Sequence, residues 1–531
     1  MTEEKTQQLG IVIGGSLNKG MEVKLDGSVL IEDMAVGRYV TIEGQKRRFF
    51  GMITDVSLGV TDEQITYNPP GIADPFITEV LKGTSTYGTL HVVPYLILNT
   101  VAGADEQPQP VKTIPSHFVP VNLATERDIE IVFGKEDAQR FWIGNPLDME
   151  TRLCLNIEEF VKRSNGIFGK SGTGKTFFTR MLLIGMLQKS KAANLIFDMQ
   201  NEYGWSGTHE KGTDVQGLKQ LFPEKVAIFT IDKDNTLQRG SKLDFEVKIG
   251  YDEIEPEDIA LLRQTLNLTD LAVEAIYQLK RYFGAKWFTK TLDIDDEEFD
   301  KLREKTNIHE STLESVKRGL RALNKLGFIS ETSTNAVKAI MEHLERGIHV
   351  VLEFGRYRDI TTYMLVSNLL SRRIYARYQE KMEKAMASKT PKPIPLVITI
   401  EEAHKFLNNE VANQTIFGTI AREMRKYNVS LLVIDQRPSG INEEVMSQLG
   451  TKITFLLDNE KDVDSVMSGV SGKSELKSVL ARLSAQRQAL IFGHALPMPV
   501  AFQPREYGSP ESYEQFKPPS MVDKDIEDLW K

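Results

Sequence analysis

The sequence predicts an α/β protein, with a parallel-sheet core that carries a helical insertion and is preceded by a small all-β barrel. Three observations predict it. Residues 1 to about 120 hold short apolar or alternating runs separated by Gly and Asp turn signals. From about Asp128 onward, near-continuous apolar runs alternate with helical stretches. A glycine-rich loop, residues 169–176, lies between one such run and a helix-periodic segment. Short strands at near-regular spacing favour a barrel, whereas apolar strands alternating with helices favour a parallel sheet covered on both faces.

The N-terminal strands are expected around Gly10–Gly15, Met21–Leu25, Tyr39–Ile42, Phe49–Ile53 and Thr89–Val93. Pro69-Pro70-Gly71 and Gln107-Pro108-Gln109-Pro110 mark loops, the second an exit from this module, so the barrel is assigned residues 1–125. Core strands are expected at Asn194–Phe197, Val226–Ile231, Ile348–Leu352, Leu396–Ile400, Ser430–Ile434 and Ala489–Phe492, which assigns residues 126–251 and 346–503 to the core. Between them, residues 252–345 carry helical periodicity and form the insertion, with Ser311-x-x-Glu314 as a capping box. Asp293 to Asp300 is an acidic loop or helix start with a solvated surface. Residues 504–531 show little periodicity and are assigned as an arm lying on the core or on a neighbour.

Composition narrows the class. The 531 residues can bury a large core, and the net charge of −9 argues against a broadly basic coat protein for nucleic acid, though not against a local basic channel. One cysteine, Cys154, excludes an intramolecular disulfide and fits a reducing, cytoplasmic setting. No apolar run approaches the roughly 20 residues a spanning helix needs, and Met1–Lys5 has no signal-peptide character.

The glycine-rich loop is Gly169-Lys170-Ser171-Gly172-Thr173-Gly174-Lys175-Thr176, followed by Phe177. Its glycines let backbone N–H groups turn inward around a β-phosphate, and the helix N-terminus adds partial positive charge. Lys175 is placed to reach the β- and γ-phosphates, and the Thr176 hydroxyl to ligate Mg2+, so the chain is expected to bind a nucleoside triphosphate such as ATP. The run Leu396–Ile400 ends in Glu401-Glu402-Ala403-His404. Two acids after a buried strand suit a division of labour in which Glu401 orients Mg2+ and Glu402 acts as the catalytic base on water. Leu431–Ile434 ends in Asp435-Gln436-Arg437-Pro438, where Gln436, with Asp435 second, is suited to sensing the γ-phosphate. Arg422 and Arg425, in Ala421-Arg422-Glu423-Met424-Arg425-Lys426, are either a solvated helix face or an arginine finger for a neighbouring subunit. Asp198-Met199-Gln200-Asn201-Glu202-Tyr203 puts acids at a strand end, where they either assist metal and water or cap the next helix.

Together these residues resemble the HerA family of hexameric DNA translocases, relatives of FtsK among the RecA-like, additional-strand P-loop NTPases. Gly169–Thr176 matches the Walker A box, and Asp198-x-x-x-Glu202-Tyr203 looks like the family's Asp–Glu–Tyr element. Glu401-Glu402-Ala403-His404 is similar to its Asp-Glu-Ala-His Walker B box, with Glu401 where the family usually has Asp. Arg422-Glu423-x-Arg425 looks like the finger segment, Gln436-Arg437-Pro438 like the polar sensor, and Ala489–Val500 like the closing strand. Residues 1–125 stand where the family has its HAS barrel.

The resemblance implies a homo-oligomeric, six-subunit ring that hydrolyses ATP with Mg2+, threads double-stranded DNA and works with a partner nuclease in DNA end processing. Two rival readings stand beside it: an antiviral defence complex in which the ring scaffolds a Sir2-like or nuclease effector, and, from another class, a nucleotide-gated scaffold with little motor activity. Glu401 bears on the last, because one extra methylene alters the metal-side acid.

Overall fold

The computed structural model describes residues 7–67, 75–81, 85–98, 108–208, 214–423, 426–470, 472–484 and 487–516. The loop expected at Pro69-Pro70-Gly71 lies outside them. The chain divides into two compact units: Met1–Phe160 with Phe168–Lys175 and Gly450–Arg505, and Val161–Ile167 with Thr176–Leu449 and Glu506–Lys531.

The first unit opens with β1 (Gln8–Ser16), β2 (Gly20–Leu25), β3 (Tyr39–Glu43), β4 (Arg48–Val60), β5 (Thr86–Leu98), β6 (Gln109–Pro110) and β7 (Pro120–Leu123). Six of them run in the order β2-β1-β7-β3-β4-β5, and β2 pairs β5 with Met21 opposite Val92, which closes the barrel. Closure leaves these strands no free edge, and the alternate residues Val12, Val23, Val40, Ile42, Ile53, Leu90, Val92 and Val121 fill the interior. Bulges at Phe50/Gly51 and Ile53/Asp55 bend the long β4 around it. The run expected to be a loop at Gln109-Pro110 instead adds the short β6 to β5. The same unit holds an antiparallel series, Thr451–Phe455, Ala489–Gly493, Val500–Pro504, Arg140–Pro146 and Leu153–Asn156. Its buried Cys154 thiol is pushed up to about 12 by burial, so it stays protonated.

In the second unit the strands run in the order Phe245–Glu246, Val226–Thr230, His349–Glu353, Ala193–Asp198, Leu396–Glu401, Val429–Asp435, with Asn165–Phe168 beside the last. The pairings from Phe245–Glu246 through Val429–Asp435 are parallel. Val226–Thr230, His349–Glu353 and Ala193–Asp198 are buried at every residue, as a sheet covered on both faces requires. One strand, Val429–Asp435, therefore stands between the strand entering the glycine-rich loop and the strand ending in the acid pair.

The stretch assigned as an insertion holds six α-helices, from Pro256–Leu261 to Ala336–Glu345, and Ile249–Gly250 pairs with Ile329–Ser330. The expected capping box does not form. The helix Glu310–Asn324 starts before Ser311, His309 stands at its N-cap without a side-chain bond, and Glu314 pairs with Lys317 and Arg321 instead. The acidic run is a helix start: Asp295 accepts from Glu298 N–H at 2.8 Å, and three acids fill the first turn of Asp296–Thr306, where the helix dipole favours them. Of the C-terminal arm, the described part packs on its own unit, through Tyr507 against Phe177 and a 2.6 Å bond from the Tyr507 hydroxyl to Gln216 O. Residues 517–531 lie outside the described residues.

Candidate active site

The glycine-rich loop occupies the end of strand Asn165–Phe168 and the start of helix Lys175–Lys189. Gly169, Gly172 and Gly174 have φ of 149°, 77° and 98°, conformations that L side chains rarely adopt. At Gly169 a Cβ would also come within 2.6 Å of Phe455 Cβ. Thr173 Oγ1 donates to Lys170 O at 2.8 Å, and the Lys175 ammonium donates to the same carbonyl at 2.7 Å. Lys175 is 8% exposed, so its charge is held against the loop and away from bulk water. Lys170 pairs with the Asp458 carboxylate at 2.9 and 3.0 Å. That pair is exposed and contributes little to stability. Ser171 and Gly172 are open to solvent, while Thr176 and Phe177 are half-buried in the first helical turn.

The acidic side is built on strand ends. Glu353, Asp198, Glu401 and Asp435 close four neighbouring parallel strands at their carboxyl ends, Asp198 directly opposite Glu353. Ligands of open α/β sheets gather at such edges. Asp198 neither caps a helix nor faces solvent: its carboxylate accepts from the N–H groups of Glu202 (2.8 Å), Tyr203 (2.7 Å) and Gly204 (3.3 Å), fixing a tight turn. Burial raises its pKa even so.

Glu401 and Glu402 are adjacent in sequence but sit in different settings. Glu401 Oε1 accepts from the buried Tyr203 hydroxyl at 2.8 Å, and Oε2 is buried with no partner among the described residues. Burial, then the neighbouring Asp198, pushes Glu401 up to about 8. Glu402 has φ of 49°, a left-handed conformation that costs a non-glycine residue about 1–2 kcal/mol. Its Oε1 accepts from Gln436 Nε2 at 3.2 Å, and its Oε2 lies 3.6 Å from His404 Nδ1.

Asp435 is buried and committed. It accepts from the N–H groups of His404 and Arg437, each at 2.6 Å, and both its oxygens lie 3.0 Å from His404 Nδ1. That bond raises the His404 pKa. Of the two residues considered for sensing, Gln436 is the exposed one. Arg422 is exposed at the end of helix Ile416–Glu423 and donates to Asn413 Oδ1 at 2.9 Å. Arg425 lies outside the described residues.

Two places offer donor atoms for a cation. The unpartnered Glu401 Oε2 is an oxygen donor of the kind a hard ion such as Mg2+ prefers, and the Thr176 hydroxyl, in the first turn of helix Lys175–Lys189, is of the same kind. Glu402, His404 and Asp435 form a second group whose donor atoms lie within 4.8 Å of one another. Its imidazole suits softer metals, and its oxygens already hold the hydrogen bonds above.

Two residues escaped the sequence reading. Tyr363 donates to Glu401 O at 3.1 Å and accepts from Glu401 N–H at 3.0 Å. Glu353 is wholly buried, accepts weakly from Arg239 and Thr236 at 3.4 Å, and is pushed up to about 7 by burial. The strand-end position of Glu353 was visible in the sequence, but its burial depends on pairing between segments far apart in the chain. Nothing local to Tyr363 marks its contact.

A glycine loop opening a helix, an acid pair on a strand end, and one strand inserted between their strands define an additional-strand P-loop ATPase. The family described as Helicase HerA, central domain, matches residues 141–374, and the HAS barrel domain family matches residues 9–105. The DNA double-strand break repair helicase HerA of Sulfurisphaera tokodaii is 24% identical over 525 residues, covering 93% of this chain and 92% of that protein. The protein of the same name from Pyrococcus furiosus is 24% identical over 436 residues, covering 76% and 75%. Among solved structures, VirB4 of Thermoanaerobacter pseudethanolicus overlaps 72% of this chain and all of its own at 14% identity, with a TM-score of 0.46. The chain is thus similar to HerA proteins in its central domain and in its barrel domain, and it is an ATP hydrolase. Among the described residues, no helix is long and apolar enough to cross a membrane.

Proposed function

We propose that this chain is a cytoplasmic, ATP-driven translocase of double-stranded DNA that assembles as a homohexameric ring and serves a partner nuclease in DNA end processing. The observation that carries the reading is the unequal pair of strand-end acids: Glu401 keeps a buried oxygen without a partner among the described residues, and Glu402 is half-exposed in a strained conformation with its carboxylate bonded to Gln436. Strain retained at a carboxylate rather than relieved by glycine is characteristic of functional positions.

In this reading the loop N–H groups and Lys175 receive the phosphates, the ammonium exchanging the Lys170 carbonyl for a phosphate oxygen. Thr176 and Glu401 hold Mg2+, which supplies neutralisation of the charge on the transferring phosphate. Glu402 takes the proton of the attacking water, and Gln436 orients that carboxylate and senses the γ-phosphate. Arg422 or Arg425 completes the site of a neighbouring subunit, so hydrolysis waits on subunit closure. DNA is gripped through its phosphates, which makes binding salt-dependent and indifferent to sequence.

Native mass measurement of the full chain with ATP, alone and with a co-expressed neighbouring nuclease, tests the assembly. A ring of six that gains the nuclease is expected. A monomer under all conditions contradicts it.

A further inference from the structure

The bond between Tyr203 and Glu401 is matched to the length of the glutamate. Tyr203 is wholly buried, and the Asp198 carboxylate sets its direction by clamping three successive N–H groups of the turn that carries it. Gly204 belongs to the same turn, where a Cβ would meet Glu353 Oε1 at 2.8 Å and Ile228 Cδ1 at 2.7 Å. The Tyr203 hydroxyl then donates to Glu401 Oε1 at 2.8 Å. A second phenol, Tyr363, from helix Ile360–Ser388, holds the backbone of the same residue by bonds to its N–H and C=O. Main chain and carboxylate are thus fixed independently, and Oε2 is the oxygen left over. An aspartate would withdraw the carboxylate by about 1.5 Å, one carbon–carbon bond. The 2.8 Å contact would then open past hydrogen-bonding range.

We propose that Tyr203 is a positioning residue for the metal-side acid: it binds Glu401 Oε1, so that Oε2 alone is presented to Mg2+, and it does so only for glutamate at this position. This rests on the assignment of Glu401 to the metal side. A tyrosine that merely satisfied its own hydroxyl in the core would affect stability and leave metal dependence alone.

The test is a double-mutant cycle in the full chain with Tyr203→Phe, Glu401→Asp and both together. The affinity for the non-hydrolysable analogue AMP-PNP is measured by calorimetry at stepped MgCl2, alongside the Mg2+ half-saturation of ATP turnover. Tyr203→Phe is expected to raise the Mg2+ half-saturation about tenfold, the usual effect of losing a hydrogen bond to a charged group. In the Glu401→Asp background the same change should shift it less than about twofold. An equal shift in both backgrounds, or a lower melting temperature with unchanged Mg2+ dependence, overturns the proposal. Should Tyr203→Phe fail to fold, Glu401→Asp alone decides, since its half-saturation must also rise. An unchanged value overturns the proposal equally. Lys175→Ala separates the underlying assignment: if that variant binds AMP-PNP as wild type does, the site itself is misassigned, whatever Tyr203 does.

Discussion

In the phosphate loop the residues with positive φ are glycines, Gly169, Gly172 and Gly174, whereas at the end of strand Leu396–Glu401 the residue with positive φ is Glu402. The two regions meet the same backbone demand in opposite ways. The loop needs its N–H groups turned inward and has no use for side chains at those positions, so composition relieves the strain. The strand end needs a carboxylate where the backbone turns, so the strain stays and the surroundings hold it. Gln436 holds the Glu402 carboxylate, while Tyr203 and Tyr363 hold the neighbouring Glu401. Conformational permission is written in the local sequence, whereas the contacts that fix the two acids come from residues distant in the chain.

The largest expected effect comes from the charge the loop carries. Lys175→Ala should reduce ATP turnover about 10³-fold or more, read as phosphate release, because the loop would keep its shape but lose its cation. Glu402→Gln should reduce turnover by about 10²–10⁴-fold and leave AMP-PNP affinity within a few-fold of wild type, since it removes the proposed base and keeps the shape. Retained turnover in that variant would move the base elsewhere.

Stability sharpens the comparison further. Glu353 is held near 7 by burial against an ordinary value of 4.5, so the folded state binds the extra proton between those values. The stability contributed by that proton is present below about 4.5 and is lost as the pH rises through about 7. Glu353→Gln carries no such loss. Its stability relative to wild type should therefore improve from pH 5 to pH 8 by on the order of 1–3 kcal/mol, measured by denaturant unfolding at stepped pH. The smallest effect is at the strained position: Glu402→Gly should be more stable than Glu402→Ala by about 1 kcal/mol, both being inactive. Equal stability of the two would mean that the left-handed conformation costs nothing there.

The same contrast explains what the sequence disclosed. The loop, the acid pair and the barrel strands were legible because each depends on local periodicity or on residue types at fixed spacing, as with Gly169–Thr176 and β1–β5. The Ser311-x-x-Glu314 pattern misled because Glu314 found Lys317 and Arg321 on its own helix, and the N-cap fell two residues earlier, at His309. Asp198 was seen as an acid at a strand end, but its work as a turn clamp needed the positions of three following N–H groups. Tyr363 lies 38 residues from the Glu401 backbone it holds, and no local pattern could pair them.

The most direct test of the central claim is steady-state ATP turnover by the assembled full chain at fixed Mg2+, with and without duplex DNA. Turnover is expected to rise several-fold with duplex DNA, to lose that stimulation as salt increases, and to disappear in Glu402→Gln. The same rate with and without DNA, at low salt and saturating ATP, would contradict it.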